Sequence, residues 1–280
     1  MNIEPLPPVP ESSSDRNKRN VLVVETMGNI GYTVSSSPVI SRYMHGVLED
    51  ILPHSESHGT PSSDRWWSKI CDASIYGISA LGVDMHHNTA VHGYAWSPNC
   101  PGHRDALPFV SFDIDCPDSA LSEGVISDVI LWTRDCFHGQ REEDARIVWK
   151  TTEENTEYAD PMPSIYRQRL NVQWEAEEMP NPDLIIQFMN HACRDLRMVS
   201  KMFPEVRSYS GNAPEGSPAE KLFAWTHWDT SGMVTIVTKN ESRIQICANI
   251  YTCKPFKEEA AIAVVERNFP KHHGMTYHSF

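Results

Sequence analysis

The chain has no CxxC pair, no apolar run approaching the roughly 18 residues of a membrane span, and no excess of positive charge. Each absence excludes something. Seven cysteines, odd in number and irregularly spaced, read as neither a disulfide framework nor a zinc site and favour a reducing compartment. Residues Met1 to Asn20, with Pro5, Pro7, Pro8, Pro10 and three serines but no apolar core, read as a disordered leader rather than a signal peptide. The expectation is a soluble, cytoplasmic protein, in which the sequon Asn240-Glu241-Ser242 has no role. A net charge of -13 gives neither nucleic acid nor an anionic membrane the basic footprint each requires. It is compatible with a cationic ligand, although solubility is the simpler use of such a charge.

What the chain does have is enough apolar residue, 40% of 280, for a substantial core, and a pattern that occurs twice. Phe109 to Pro117 alternates apolar and polar residues up to Cys116 and a proline, then gives way to an amphipathic helix from Val125 to Phe137. Ile244 to Pro255 does the same, with Cys247 and Cys253, before a helix from Glu258 to Phe269. A repeated strand-to-helix unit implies one pseudo-symmetric domain over 21–280, with repeat one at about 21–140, a charged, proline-bearing linker at about 141–165 and repeat two at about 166–270.

Periodicity fills in the rest. Strands are expected at Val21 to Val24, Ala73 to Leu81, His92 to Trp96 and Leu170 to Trp174. Others follow at Leu222 to Trp228, Met233 to Val237 and Arg243 to Tyr251. Helices are expected at Pro38 to Leu52 and Asp183 to Met198, the second with Pro182 near its start. Each half becomes a small antiparallel sheet with helices on one face, and the two pair edge to edge or face to face in a layered α+β fold.

Several constellations could carry chemistry. His86, His87, His92 and His103 are metal-ligand types without a metal-site spacing, and the His86-His87 pair falls on the turn-like stretch Asp84 to Ala90, where a solvated polar turn is the simpler reading. His227-Trp228-Asp229 has the H-x-D pattern of a facial-triad iron site, but His272, His273 and His278 follow in a tail beyond the last helix, not on an opposing strand. Gly28-Asn29-Ile30-Gly31 lacks the third glycine of a dinucleotide loop. Cys116 and Cys253 each end a strand, where burial alone explains a cysteine. No metal is expected.

Trp66 to Tyr76, then Tyr94-Ala95-Trp96-Ser97, the Cys116 strand, Leu131 to Asp135, Leu170 to Phe188 and Phe223 to Glu241 resemble, in that order, the eukaryotic S-adenosylmethionine decarboxylase family. The resemblance implies an αββα sandwich of two duplicated halves and a lyase of polyamine synthesis that cuts its own chain at a Glu-Ser bond to make a pyruvoyl group. This chain departs from that pattern at the cleavage motif. Ser97 has no glutamate before it and Pro98 after it, which hinders the backbone rearrangement. Asp229 and Val237 stand where the family has its processing serine and histidine, and Glu241-Ser242 falls in a hairpin turn. No pyruvoyl cofactor is therefore expected.

The resemblance also implies site residues: Phe223 stacking on adenine, Glu241 holding ribose hydroxyls and Cys116 as the proton donor. His227 and Asp229 join Cys116 as candidate acid–base groups, with Ser97 as the remaining cleavage candidate. The leading expectation is a relative that binds S-adenosylmethionine or a related amine and catalyses a pyruvoyl-independent reaction. The alternatives are a catalytically dead paralog that regulates an active decarboxylase, and a genuine decarboxylase. Expected partners are a small-molecule substrate and, in a homodimer or heterodimer, a second copy or a paralog.

Overall fold

The computed structural model describes residues 19–27, 37–52, 66–74, 77–84, 89–96, 109–117, 120–137, 146–151, 168–210, 220–228, 231–240, 243–252 and 254–279. Two six-stranded antiparallel sheets hold the chain together. The first contains β1 (Arg19–Met27), β2 (Trp66–Ser74), β3 (Gly77–Asp84), β4 (Thr89–Trp96), β5 (Phe109–Pro117) and β6 (Arg146–Thr151), in the order β2-β3-β4-β5-β1-β6. The second contains β7 (Gln168–Ala176), β8 (Glu205–Ser210), β9 (Glu220–Trp228), β10 (Ser231–Asn240), β11 (Arg243–Thr252) and β12 (His272–Ser279), in the order β8-β9-β10-β11-β7-β12. Adding six to each strand number of the first order and reading it through gives the second. The duplication seen in the sequence is thus a duplication of topology, with α1 (Ser37–His45) and α2 (Glu123–Phe137) answered by α3 (Pro182–Asp195) and α4 (Glu258–Asn268).

Strand alternation builds the layers, because successive side chains point to opposite faces. Leu22, Val24, Val110, Phe112 and Ile114 turn to α1 and α2, where Tyr43, Phe112 and Phe137 form an aromatic trio with centroids 3.9 to 5.6 Å apart. Leu170, Val172, Trp174, Ile246 and Ile250 turn to α3 and α4 in the other half, around Trp174, Phe188 and Phe269. A third core lies between the sheets: Leu81, Val83 and Ala90 from one face Phe223, Trp225, Val234 and Ile236 from the other. The order of layers is helix, sheet, sheet, helix, an α+β sandwich with its sheets face to face.

Local chemistry sets the helix ends. Asn181 caps α3 by accepting from Leu184 N at 2.7 Å, Pro182 occupies the first turn, and Ile185, Phe188, Met189, Ala192 and Cys193 recur at helical spacing on the buried face. The helix expected at Pro38 to Leu52 is α1 followed by a wider π-helical turn, Gly46–Ile51. A Cβ at Gly46 would lie 2.5 Å from the Trp132 ring, so the glycine permits the close contact of this segment with α2.

Three expectations are corrected. Ala73 to Leu81 is not one strand but spans the ends of β2 and β3, which pair in a hairpin. The segment read as a linker contains β6, paired with β1. The C-terminal histidines lie on β12, paired with β7, because the alternation that marks a strand is masked there by residues exposed on both faces of a sheet edge.

Candidate functional site

The inter-sheet core is apolar at one end and charged at the other. On β1 and β5 the residues facing the second sheet include Glu25, Ser111, Asp113 and Asp115, and all four are buried. On β7 and β11 the facing residues are Arg169, Asn171, Gln173, Cys247, Asn249 and Tyr251. The acids come from the first repeat and most of the hydrogen-bond donors from the second.

Arg169 ties the sheets together. Its Nη1 meets Glu25 Oε1 at 2.9 Å, its Nε donates to Asp113 Oδ1 at 2.7 Å and its Nη2 donates to Ser111 Oγ. The guanidinium also lies over the Tyr251 ring, 4.6 Å from its centroid. Such a three-way fork is available to arginine and not to lysine.

Asp115 is held differently. Its Oδ2 accepts from Asn249 Nδ2 and from the Cys247 thiol at 3.4 Å. Asn171 donates to Asn249 Oδ1 at 2.5 Å and to Cys247 Sγ at 3.2 Å, and Gln173 donates to Asn171 Oδ1 at 2.9 Å. This chain of neutral amides fixes the orientation of the carboxylate.

Ala90, His92, Asp113, Asp115, Val234, Asn249 and Tyr251 line a cleft of about 260 Å³ counting its open mouth. Its usable interior is small, with room for about one water or one group of that size. Burial, reinforced by His227 and Arg169, pushes His92 down to about 3, so its imidazole is neutral at physiological pH. Burial also holds Asp113 above the usual carboxylate range, against the pull of Arg169. Among the described residues the cluster sets three carboxyl groups against one guanidinium. Lys221, also buried, belongs elsewhere: it stands six residues from His227 along β9, its Nζ 5.7 Å from the centroid of the Tyr209 ring.

The residues singled out in the sequence are not all brought together. His227 reaches this layer from β9, buried and close enough to His92 to affect its charge. Phe223 is on the same strand face but lies in the apolar end, packed with Trp225 and Ile236. Cys116 shares the opposite face of β5 with Phe112 and Ile114, toward the helices, its Sγ 4.0 Å from Asn20 O. Ser97, Asp229 and Glu241 lie outside the described residues, as do His86, His87 and His103. His272, His273 and His278 sit four strand spacings from His227 across the sheet, roughly 19 Å, too far to share a metal with it.

Glu25, His92, Asp113, Asp115, Arg169 and Asn249 are the residues that reasoning from sequence missed as a site. The signal was the polar half of each strand's alternation, which marks a face without saying what covers it.

No family model matches the chain, and no curated protein does. Among solved structures, the adenosylmethionine decarboxylase from Aquifex aeolicus aligns at 7% identity with a TM-score of 0.30, over 41% of this chain and 89% of its own. An unknown protein from Galdieria sulphuraria aligns at 9% identity and a TM-score of 0.20, over 94% of this chain and 98% of its own. DynU16, from the dynemicin biosynthetic locus, aligns at 9% identity and 0.23, over 88% and 93%. These scores are too low to carry a function to this chain.

Proposed function

We propose that the chain binds S-adenosylmethionine or a related amine, with the cationic amino group in the cleft beside Asp115, and acts on it without a pyruvoyl group. The observation that supports this reading is the acidic lining of the cleft: Asp113 and Asp115, both buried in a region of low dielectric, border it side by side on β5. Buried carboxyls at the wall of a cleft favour a cationic group over a neutral or anionic one. An ammonium group is about the size of the one water for which the cleft has room. Asn249 and Cys247 hold the Asp115 carboxylate in place at the cleft, and neutral His92 adds no competing charge. His227 is the acid–base candidate in this layer.

Of the positions matched to the resembled family's processing machinery, Val237 is among the described residues. It is buried with Met233 and Ile246 on the helix-facing side and has no proton to give. That position does not fit pyruvoyl formation, and no step is routed through such a group.

A second reading, a non-catalytic paralog that regulates an active decarboxylase, is favoured by Phe223 and Cys116, which occupy packing positions away from the cleft. Thermal unfolding with S-adenosylmethionine, its decarboxylated form and simple amines separates the readings. Under the first, Tm rises with amine concentration in the wild type and not in Asp115→Asn. Under the second, no such rise occurs, and the chain alters the turnover of an active decarboxylase added to it.

A further inference from the structure

Among the described residues four large apolar side chains stand exposed: Leu131, Val199, Phe203 and Tyr277. Two of them share the connection from α3 to β8, and that connection is firmly built. Met198 N donates to Cys193 O at 2.8 Å, and Lys201 N and Met202 N both donate to His227 O, at 2.9 and 3.1 Å. Thr226 Oγ1 donates to Met202 O at 2.9 Å, and Ser200 pairs with Trp228 in a bridge. Arg197, at φ 57°, is the one non-glycine with positive φ among the described residues. The backbone thus holds Val199, 56% exposed, and Phe203, 67% exposed, out in water, with exposed Arg197 and Lys201 beside them. Large apolar side chains fixed in this way favour being covered.

The outer face of α2 has the complementary make-up. Leu131 is 44% exposed, and Asp128 and Asp135, three residues before it and four after, flank it on the same exposed face. The two carboxylates stand about 10 Å apart along the helix. Asp135 also lies 3.8 Å from Arg134 Nε, so Asp128 is the stronger partner for an incoming cation.

We propose that the α3–β8 connection of one copy docks on the outer face of α2 of a second copy, Phe203 and Val199 against Leu131, with Lys201 and Arg197 meeting Asp128 and Asp135. The contact proposed is heterologous, the connection of each copy meeting α2 of the next, so association runs head to tail. It is independent of the amine cleft. Copies of net charge -13 repel at long range, and moderate salt screens that repulsion while leaving contact pairs within about 8 Å in force.

Sedimentation velocity on the full chain in moderate salt tests this. The wild type is expected to sediment above the monomer and to grow with concentration, while Phe203→Glu and Asp128→Lys, each checked for native circular dichroism, stay monomeric. Mixing these two variants leaves one competent surface on each, so they should form dimers and nothing larger. A wild type that stays monomeric to near-millimolar concentration overturns the proposal, as does association that survives both variants or a mixture that stays monomeric.

Discussion

Arg169 and Asp113 stand on opposite sheets, and the 2.7 Å contact between Nε and Oδ1 is an ion pair through the middle of the sandwich. The same guanidinium holds Glu25 at 2.9 Å, so the charged end of the interface depends on one side chain.

Replacing Arg169 with methionine leaves two buried carboxyls without their cation, a change that costs about 3–5 kcal/mol. Arg169→Lys should recover part of this, since an ammonium cannot make the whole fork. Urea unfolding checks both, and a loss below about 1 kcal/mol in Arg169→Met would mean that the ion pairs are solvated.

Acid sensitivity should trace to His92. The imidazole titrates at 6.5 when unfolded and at about 3 in the fold. Between these values the unfolded chain binds a proton that the folded chain refuses. Stability therefore rises with pH across this window and is lost as pH falls from 6.5 toward 3. Asp113, whose folded value is raised from 3.8, has the opposite slope above that pH. His92→Gln should flatten the acid limb of the pH–stability curve or invert it, as followed by thermal melts at a series of pH values.

Gly93→Ala should destabilise by about 1–3 kcal/mol, because a Cβ there would lie 2.6 Å from the Phe112 ring. Phe112→Leu in the same chain makes room, so the double variant should be more stable than the sum of the two single changes implies.

Cys116 and Asn249 should separate cleanly in binding. Cys116→Ala, on the helix-facing side of β5, is expected to cost about 1 kcal/mol of stability and leave amine affinity unchanged. Asn249→Ala removes the amide that orients Asp115 and should weaken binding about tenfold. Equal loss in both variants would place the amine elsewhere.

The duplicated, layered fold was legible because alternation and helical periodicity are local signals. Phe109 to Pro117 and Ile244 to Tyr251 show them plainly, and both lie in strands at the expected places. The linker and tail were misread because β6 and β12 are edge strands, whose residues need not alternate. The cluster was hidden for a different reason. Asp113 and Asp115 look like the solvated face of a half-buried strand, and only the second sheet, more than fifty residues away in sequence, converts that face into an interior. Glu25 lies one residue beyond the apolar run read as β1, and Arg169 one residue before the run read as β7. His227 was visible by its motif, whereas its neighbour across the sheets, His92, was placed on its strand but weighed only as a metal ligand beside His86 and His87.

The central claim is that this cluster takes up a cationic amine, and isothermal titration of the wild type and Asp115→Asn with S-adenosylmethionine and simple amines tests it most directly. The account expects saturable one-to-one binding in the wild type near neutral pH, weakened at least tenfold by the substitution. Binding that is absent in the wild type, or equally strong in Asp115→Asn, would contradict it.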